Sequence, residues 1–377
     1  MKRWLISVVL LAGLLALAAC AAEEKEAPAT PAPTAGVAVP PGWDEIVAAA
    51  KKEGKLTLAG PLGDEVRKAL TEPFEKKYGI SIEYMAQSGS EFVPRLKAER
   101  DAGQYLWDVY VGGTSTPITQ FKPMGALDPL EPALMLPEVK DPKGWRDGKL
   151  PLVDKDRQVL GMLTYATEAF YYNPTLVKPG EIKSYKDLLD PKWTGKIALF
   201  DPSIPGSGDA KFTFLYVQPD LGPDFIRALV KQISFVSRDY DQLMRGVAEG
   251  KFAFSLGGHK NVSGPMKKAG APIDILPASQ IKEGGSLHVG VGALALFNRA
   301  PHPNAAKLYI NWLLSKEGQA GYTVGADLPS NRVDTPTDHL ETWELPKPGY
   351  IALDGEDTVV NVRTKVRDFA REVLAGR

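Results

Sequence analysis

The chain has 377 residues, with 45 lysines and arginines against 46 aspartates and glutamates, a formal net charge of -1, and one cysteine. Charges that nearly cancel, without a long basic run, exclude nucleic acid as the partner, and the lone Cys20 excludes internal disulfides and thiolate metal clusters. The four histidines, at 259, 288, 302 and 339, lack metal-ligand spacing, so neither a metal site nor a resident cofactor is expected.

The amino terminus opens with Lys2 and Arg3, runs through an apolar segment from Trp4 to Ala19 and reaches Cys20 in the string LALAAC. A basic start, a short apolar stretch and small residues before the cut make residues 1–19 an export signal, too short and wrongly flanked for a stable span. Leu17 to Cys20 resemble the bacterial lipobox, in which the cysteine is acylated and becomes the first mature residue; the alternative is a buried structural cysteine. Residues 20–41 are rich in Ala, Pro and Thr, cannot bury a core, and read as a disordered tether. No second apolar segment is long enough to cross a bilayer, so the body should hang outside the cytoplasmic membrane on its lipid.

The body begins with an amphipathic helix, Trp43 to Glu53, and a strand, Lys55 to Ala59. The turn at Leu62 leads to a helix with Val66, Leu70 and Phe74 on one side. A second strand, Ile80 to Met85, ends in Ser88, Gly89 and Ser90 before a helix carrying Phe92 and Leu96. Small hydroxyl residues and glycine at a helix start leave N–H groups free to hold an anion, though simple capping uses the same residues. A third strand, Trp107 to Val111, ends in Gly112, Gly113, Thr114, Ser115 and Thr116. Pro123 to Lys155 is proline-rich and reads as surface.

Val159 to Tyr172 is a long extended run suited to crossing between lobes, and its Tyr165 either lines a crevice or fills core. A brief helix at Ser184 to Leu189 precedes a strand, Lys196 to Phe200. That strand opens into a loop holding Gly206, Ser207 and Gly208 ahead of a helix through Phe212 and Leu215. After a helix at Phe225 to Ile233, the stretch from Ser237 to Lys260 changes period. A short helix starting at Arg238 and Tyr240 feeds a buried strand, Phe252 to Leu256, closed by Gly257 and Gly258, with His259 and Lys260 directly after. Open α/β layers hold ligands beyond the carboxyl ends of their strands, so Arg238, Tyr240, Gly258, His259 and Lys260 should face one. After a strand at Ile273 to Leu276, His288 to Phe297 is a second crossing candidate, with Gly290 and Gly292 allowing close approach. A helix follows at Pro303 to Leu314. Val359, Val362, Val366, Phe369 and Val373 mark an amphipathic tail helix that clamps one lobe.

Taken together, WDEIVAAAKKEGKLTL, YKDLLDPKWTGKIALFDP, the 237–260 stretch and NRAPHPNAAKLYINWLLSKEGQAGY resemble the iron(III) and phosphonate-type branch of extracellular solute-binding proteins, the receptors of ATP-binding-cassette importers, from Trp43 to about Asn331. The resemblance implies an α/β fold of the type II periplasmic-binding class, with two lobes joined by crossing hinge strands. Residues 42–164 with 291–338 would form the first lobe and residues 165–290 with 339–377 the second. It implies a monomer that closes on a small-molecule solute and hands it to a permease and its ATPase, and it implies no catalysis. Iron-binding members present adjacent tyrosines just after the strand matched here by Phe252 to Leu256, where this chain has His259 and Lys260. A subset adds a histidine and a glutamate in turns where this chain has Leu62 and Gly113.

A lysine ammonium in place of a phenolate would repel a cation. Arg238, His259 and Lys260, with free amides at Ser88 to Ser90 and Gly206 to Gly208, instead suit a phosphonate, phosphate ester or carboxylate, while Gly113, Thr114, Tyr165 and Tyr240 would flank its body. The alternatives are a ferric ion or ferric chelate, or an exported hydrolase using Ser207, although G-x-S-x-G, H-E-x-x-H and P-loop signatures are absent. Equally open is that Arg238 pairs with Asp239 or Asp241 and Lys260 points to solvent.

Overall fold

The structure is a computed structural model that describes residues 40–376; the export signal, Cys20 and most of the tether lie outside the described residues. No helix among the described residues is long and apolar enough to cross a membrane.

The first sheet is built from β1 (Lys55–Gly60), β2 (Ser81–Ala86), β3 (Val109–Gly112), β4 (Leu127–Asp128) and β5 (Val159–Gly161). Helices α1 (Trp43–Glu53), α2 (Asp64–Tyr78) and α3 (Gly89–Asp101) alternate with its first strands, which makes β1 parallel to both β2 and β3. The chain leaves this sheet through β6 (Tyr165–Ala166) and enters the second through β7 (Glu168–Tyr172). There β8 (Ile197–Phe200), β9 (Ile233–Ser237) and β10 (Phe254–Leu256) run parallel, while β11 (Asp274–Pro277) and β7 run antiparallel at the other edge. It returns through β12 (Ser286–His288) to β13 (Ala293–Phe297), which lies antiparallel to β3. A small third sheet of β6, β12 and β14 (Ile351–Ala352) therefore sits where the chain crosses. Both extended runs read as crossings do cross, each broken into short strands that belong to different sheets.

Each large sheet has its own apolar core: Leu56, Leu58, Val109 and Leu294 belong to one, and Ile197, Leu199, Phe254 and Leu256 to the other. The segment from Pro123 to Lys155 is only partly surface. Ala126, Leu130, Leu134 and Trp145 are buried, and α4 (Pro137–Lys140) lies within it. Asn311, on the helix Pro303–Leu314, holds this segment from below: its Oδ1 accepts from Met135 N and Leu136 N, and its Nδ2 donates to Ala133 O. Prolines hid that packing by breaking the periodicity.

The second sheet carries α5 (Ser207–Val217), α6 (Gly222–Val230), α7 (Tyr240–Ala248) and α8 (Lys260–Lys268). Helix α5 is enclosed on nearly every side, burying even Asp209 and Lys211. Helices α9 (Pro303–Leu314) and α10 (Lys316–Ala326) return to the first layer. The tail, helical over Thr358–Arg363 with wide turns and over α11 (Thr364–Ala375), sets Val359 in a first-layer core and Val366 and Ala370 in the second core. It bridges the layers rather than clamping one, although the partition drawn from sequence gives residues 339–377 to the second lobe.

Candidate functional site

The carboxyl ends of four parallel strands converge on one cavity of about 340 Å³. Beyond β3 lie Gly113 and Thr114; beyond β8, Gly206 and Ser207; beyond β9, Tyr240; beyond β10, Gly258 and His259. Loops at these strand ends carry no ladder partners of their own, so they are free to be shaped around a guest. Tyr165, from the first crossing, is also in the wall. Eight of the fourteen residues singled out from sequence thus border the same space.

The other six do not. Ser88 caps α3, accepting from Glu91 N, while Glu91 returns a carboxylate to the Ser88 N–H. Gly89 and Ser90 are the first residues of that helix, so this turn is filled by its own capping box and the Glu91 charge would repel an anion. Gly208 is packed under the main-chain carbonyl of Phe200. Arg238 is exposed and paired with Asp201 at 2.8 Å, neither of the acidic partners foreseen for it. Lys260 turns away from the cavity and reaches Asp327 and Glu344.

Helix α5 supplies the best-defined wall. Its N-cap Gly206 makes no side-chain cap, so its first amides are left to other partners. The Ser207 N–H faces the Tyr240 hydroxyl at 3.5 Å, and the buried Ser207 Oγ has no hydrogen-bond partner among the described residues. Ser207, Ala210 and Lys211 line the cavity together, the i, i+3, i+4 spacing of one helix face. Gly257, at a φ of 83°, lets the β10 loop approach this helix start so closely that a Cβ would sit 2.8 Å from Ser207 Oγ.

Aromatic rings frame the same end. Tyr240 stacks on Phe200 with centroids 4.3 Å apart and meets the His259 ring at 5.7 Å. His259 caps α8 by accepting the Asn261 N–H at Nδ1, which leaves its proton on Nε2. Burial, then the charge of Lys260, push the His259 pKa down, so the ring is neutral near neutral pH. Burial pushes the Tyr165 phenol well above its ordinary range, with Glu168 next in effect.

The floor was not anticipated from the sequence. Asp354 accepts from Thr114 Oγ1 at 3.0 Å, from Val289 N at 2.6 Å and from Arg363 at 3.1 Å. Burial opposes its charge, yet His288, Arg363 and the Val289 N–H hold its carboxyl well below the usual range. Arg363 also donates to His288 Nδ1 at 3.1 Å, and His288 Nε2 meets Ser286 Oγ at 3.2 Å. Burial pushes the His288 pKa down, more than Asp354 raises it. The Arg363 Nε is buried without a partner among the described residues.

At the far end Lys211, 3% exposed, donates to the Glu168 carbonyl and to the Tyr185 hydroxyl. Burial lowers its pKa to about 8 against the pull of Glu168. Burial likewise raises the Glu168 carboxyl.

Signals for these groups existed. Arg363 falls on the apolar stripe of the tail, four residues after Val359 and three before Val366, and Lys211 sits one turn before Leu215 in a mostly apolar helix. A cation on an apolar face is buried along with that face, and a buried cation needs a partner or a guest. Among the described residues no group of three or more His, Cys, Asp or Glu side chains is placed to hold a metal ion.

Over residues 69–344 the chain matches the family described as bacterial extracellular solute-binding protein. An uncharacterized protein of Haemophilus influenzae is 25% identical over 283 residues, covering 73% of this chain and 77% of its own. Among solved structures, the periplasmic binding protein AfuA of Actinobacillus pleuropneumoniae, with exogenous fructose-6-phosphate bound, aligns with a TM-score of 0.59 at 20% identity, over 86% of this chain and 97% of its own. IdiA (FutA) of Trichodesmium, in complex with iron and citrate, aligns at 0.63 and 18% over 86% and 99%. Iron-bound HitA of Pseudomonas aeruginosa aligns at 0.61 and 17% over 85% and 99%. These likenesses are of fold, the two-lobed α/β architecture of periplasmic binding proteins. The chain belongs to the bacterial extracellular solute-binding proteins, the solute receptors of ATP-binding-cassette importers.

Proposed function

We propose that the protein is a monomeric receptor, lipid-anchored through Cys20 outside the cytoplasmic membrane, that traps a small anionic solute in this cavity and passes it to a permease driven by an ATPase. The observation that carries the reading is an excess of open donors. Asp354 is saturated by Thr114, Val289 and Arg363, whereas Ser207 Oγ and Arg363 Nε lack partners among the described residues and His259 keeps its proton on Nε2. Buried donors without acceptors cost free energy that an anionic guest recovers. A phosphate ester, phosphonate or carboxylate supplies the missing acceptors.

A bare ferric ion fits this lining less well, because Lys211 and Arg363 border the same space and repel a cation. Iron held by an anionic chelator remains compatible with the donors, and two of the similar structures carry iron, one of them with citrate. Hydrolysis at Ser207 would need a base in contact with its Oγ, and among the described residues there is none. Closure would bend the crossings at β6 and β12, with residues 42–164 and 291–338 moving against the remainder.

Thermal melting of the purified protein with glycerol phosphate, methylphosphonate, citrate, ferric chloride and ferric citrate tests the reading. A rise with phosphate or phosphonate anions is expected, and ferric chloride alone should give none. Stabilisation by ferric chloride in the absence of any organic anion would overturn it.

A further inference from the structure

We propose that Glu168 and Lys211 form a selectivity pair that recognises a hydroxyl group on the solute, one helical turn away from the anion. The inference rests on the anionic-solute reading and deepens it. Both residues line the cavity. Apart from its own main-chain N–H, the Glu168 carboxyl meets no hydrogen-bonding or ion-pair partner among the described residues. It is therefore the open acceptor in a cavity whose other open groups are donors.

Lys211 stands beside it. Its ammonium has three N–H groups, of which one goes to the Glu168 carbonyl and one to the Tyr185 hydroxyl, so the third is left for a guest. A carboxylate that only accepts, next to an ammonium that only donates, matches a group that does both. A hydroxyl donates to Glu168 and accepts from Lys211. An ammonium on the solute would satisfy Glu168 but meet Lys211 as a like charge, and a methyl group would leave both unpaired.

Spacing sets where that hydroxyl lies. Ser207 and Lys211 are four residues, just over one turn, apart on the same face of α5, about 6 Å along the axis. That is the span from an ester phosphorus to a hydroxyl oxygen a few bonds away. Nearby hydroxyls extend the same environment, since Thr167 Oγ1 and Ser286 Oγ lie 3.0 Å apart in the cavity wall. The solute class is thus a hydroxylated organic phosphate or phosphonate rather than phosphate itself.

Isothermal titration of the protein with hydroxyethylphosphonate, ethylphosphonate and aminoethylphosphonate isolates the group in question, because the three differ only at the end remote from phosphorus. Glycerol phosphate against inorganic phosphate repeats the comparison with esters. The hydroxyl compound should bind about tenfold or more tightly than the ethyl compound, as expected of a site whose polar groups are left unpaired by the analogue. Glu168→Ala and Lys211→Met should each shrink that ratio toward one, and Glu168→Gln, which preserves size, does the same if Glu168→Ala folds poorly. Tightest binding of the amino compound, equal binding of all three, or a ratio unchanged in every variant would overturn the pair. If no phosphate, phosphonate or carboxylate binds while an uncharged or cationic solute does, the anionic reading itself falls, and the inference with it.

Discussion

Lys260, the first residue of α8, forms ion pairs with Asp327 Oδ2 at 2.8 Å and with Glu344, whose carboxylate side chain is only 3% exposed. Its Nζ also donates to the Asp327 main-chain carbonyl at 2.9 Å. Asp327 ends α10, which packs on the first layer against α2, whereas α8 packs on the second against α7. The lysine expected to grip the solute instead ties one wall of the cleft to the other.

Substituting Lys260 should therefore act on closure rather than on solute contacts. Lys260→Met leaves the buried Glu344 carboxylate unpaired, which costs about 1–3 kcal/mol for a partly buried pair. Affinity for glycerol phosphate should fall by a similar factor for every anion tested, and small-angle scattering should show a larger radius of gyration. A loss confined to one anion would instead mean direct contact.

Arg238 and Ser207 make the opposite pair of cases. Arg238→Ala removes an exposed side chain already engaged with Asp201, and such surface pairs contribute about 0–1 kcal/mol. Anion affinity should stay within about threefold of the parent protein. Ser207→Ala removes an open donor from the cavity wall and should weaken anion binding about tenfold, the worth of one hydrogen bond to a charged group. Titration calorimetry on both variants separates the two positions.

Lys211 gives a pH signature. With its pKa lowered from 10.5 to about 8 by burial, the unfolded chain binds more protons than the folded one between those values. Stability should rise with pH across that window, by about 3 kcal/mol at most, and the burial penalty is fully present below about 8. Lys211→Met should lack the rise, measured as chemical unfolding of parent minus variant. In the parent protein, affinity for glycerol phosphate should also decline as pH climbs through about 8, since the neutral amine no longer attracts the anion.

Asp209 runs the other way. Burial raises its pKa from 3.8 to about 6, against the pull of Arg363 and Arg367. Here the folded state binds more protons, so the contribution is fully present below 3.8 and is lost as pH rises through about 6. Asp209→Asn should flatten that part of the profile, again read as the difference between parent and variant.

Two glycines in helices should respond oppositely to alanine. A methyl on Gly208 would run into the Phe200 carbonyl, and the overpacking should cost about 3 kcal/mol with loss of binding. Gly264, inside α8, has nothing within 4 Å of the position a Cβ would take, so Gly264→Ala should stabilise by about 0.5–1 kcal/mol. Melting temperatures of the two variants decide it.

Periodicity carried most of the fold. Strands β1, β3, β8 and β10 and helices α1, α2, α7 and α9 follow apolar spacing closely, because each buries one face or one whole strand. The strand-end rule then led to His259, Tyr240 and Ser207 without any coordinates. What it could not supply was orientation. At the start of α8, His259 and Lys260 are neighbours, yet one lines the cavity and the other reaches Asp327, because successive side chains at a helix start diverge around its axis. Nor could it pair residues far apart in the chain: Thr114 with Asp354, or Lys260 with Glu344, are long-range encounters that no local pattern encodes. The cations that border the cavity are Lys211 and Arg363 in the interior, not Arg238 or Lys260, which are paired with Asp201 and with Asp327 and Glu344.

The tail roots Val359 beneath one wall and Val366 beneath the other, with Arg363 between them at the wide-turned stretch Thr358–Arg363. If the walls part, as the proposed receptor role requires, this segment would act as a leash whose reach is set by how far those few turns uncoil. On the proposed receptor role, Arg363, lying between those two roots, would be carried little by such a parting and would offer an entering solute the same cation in either state.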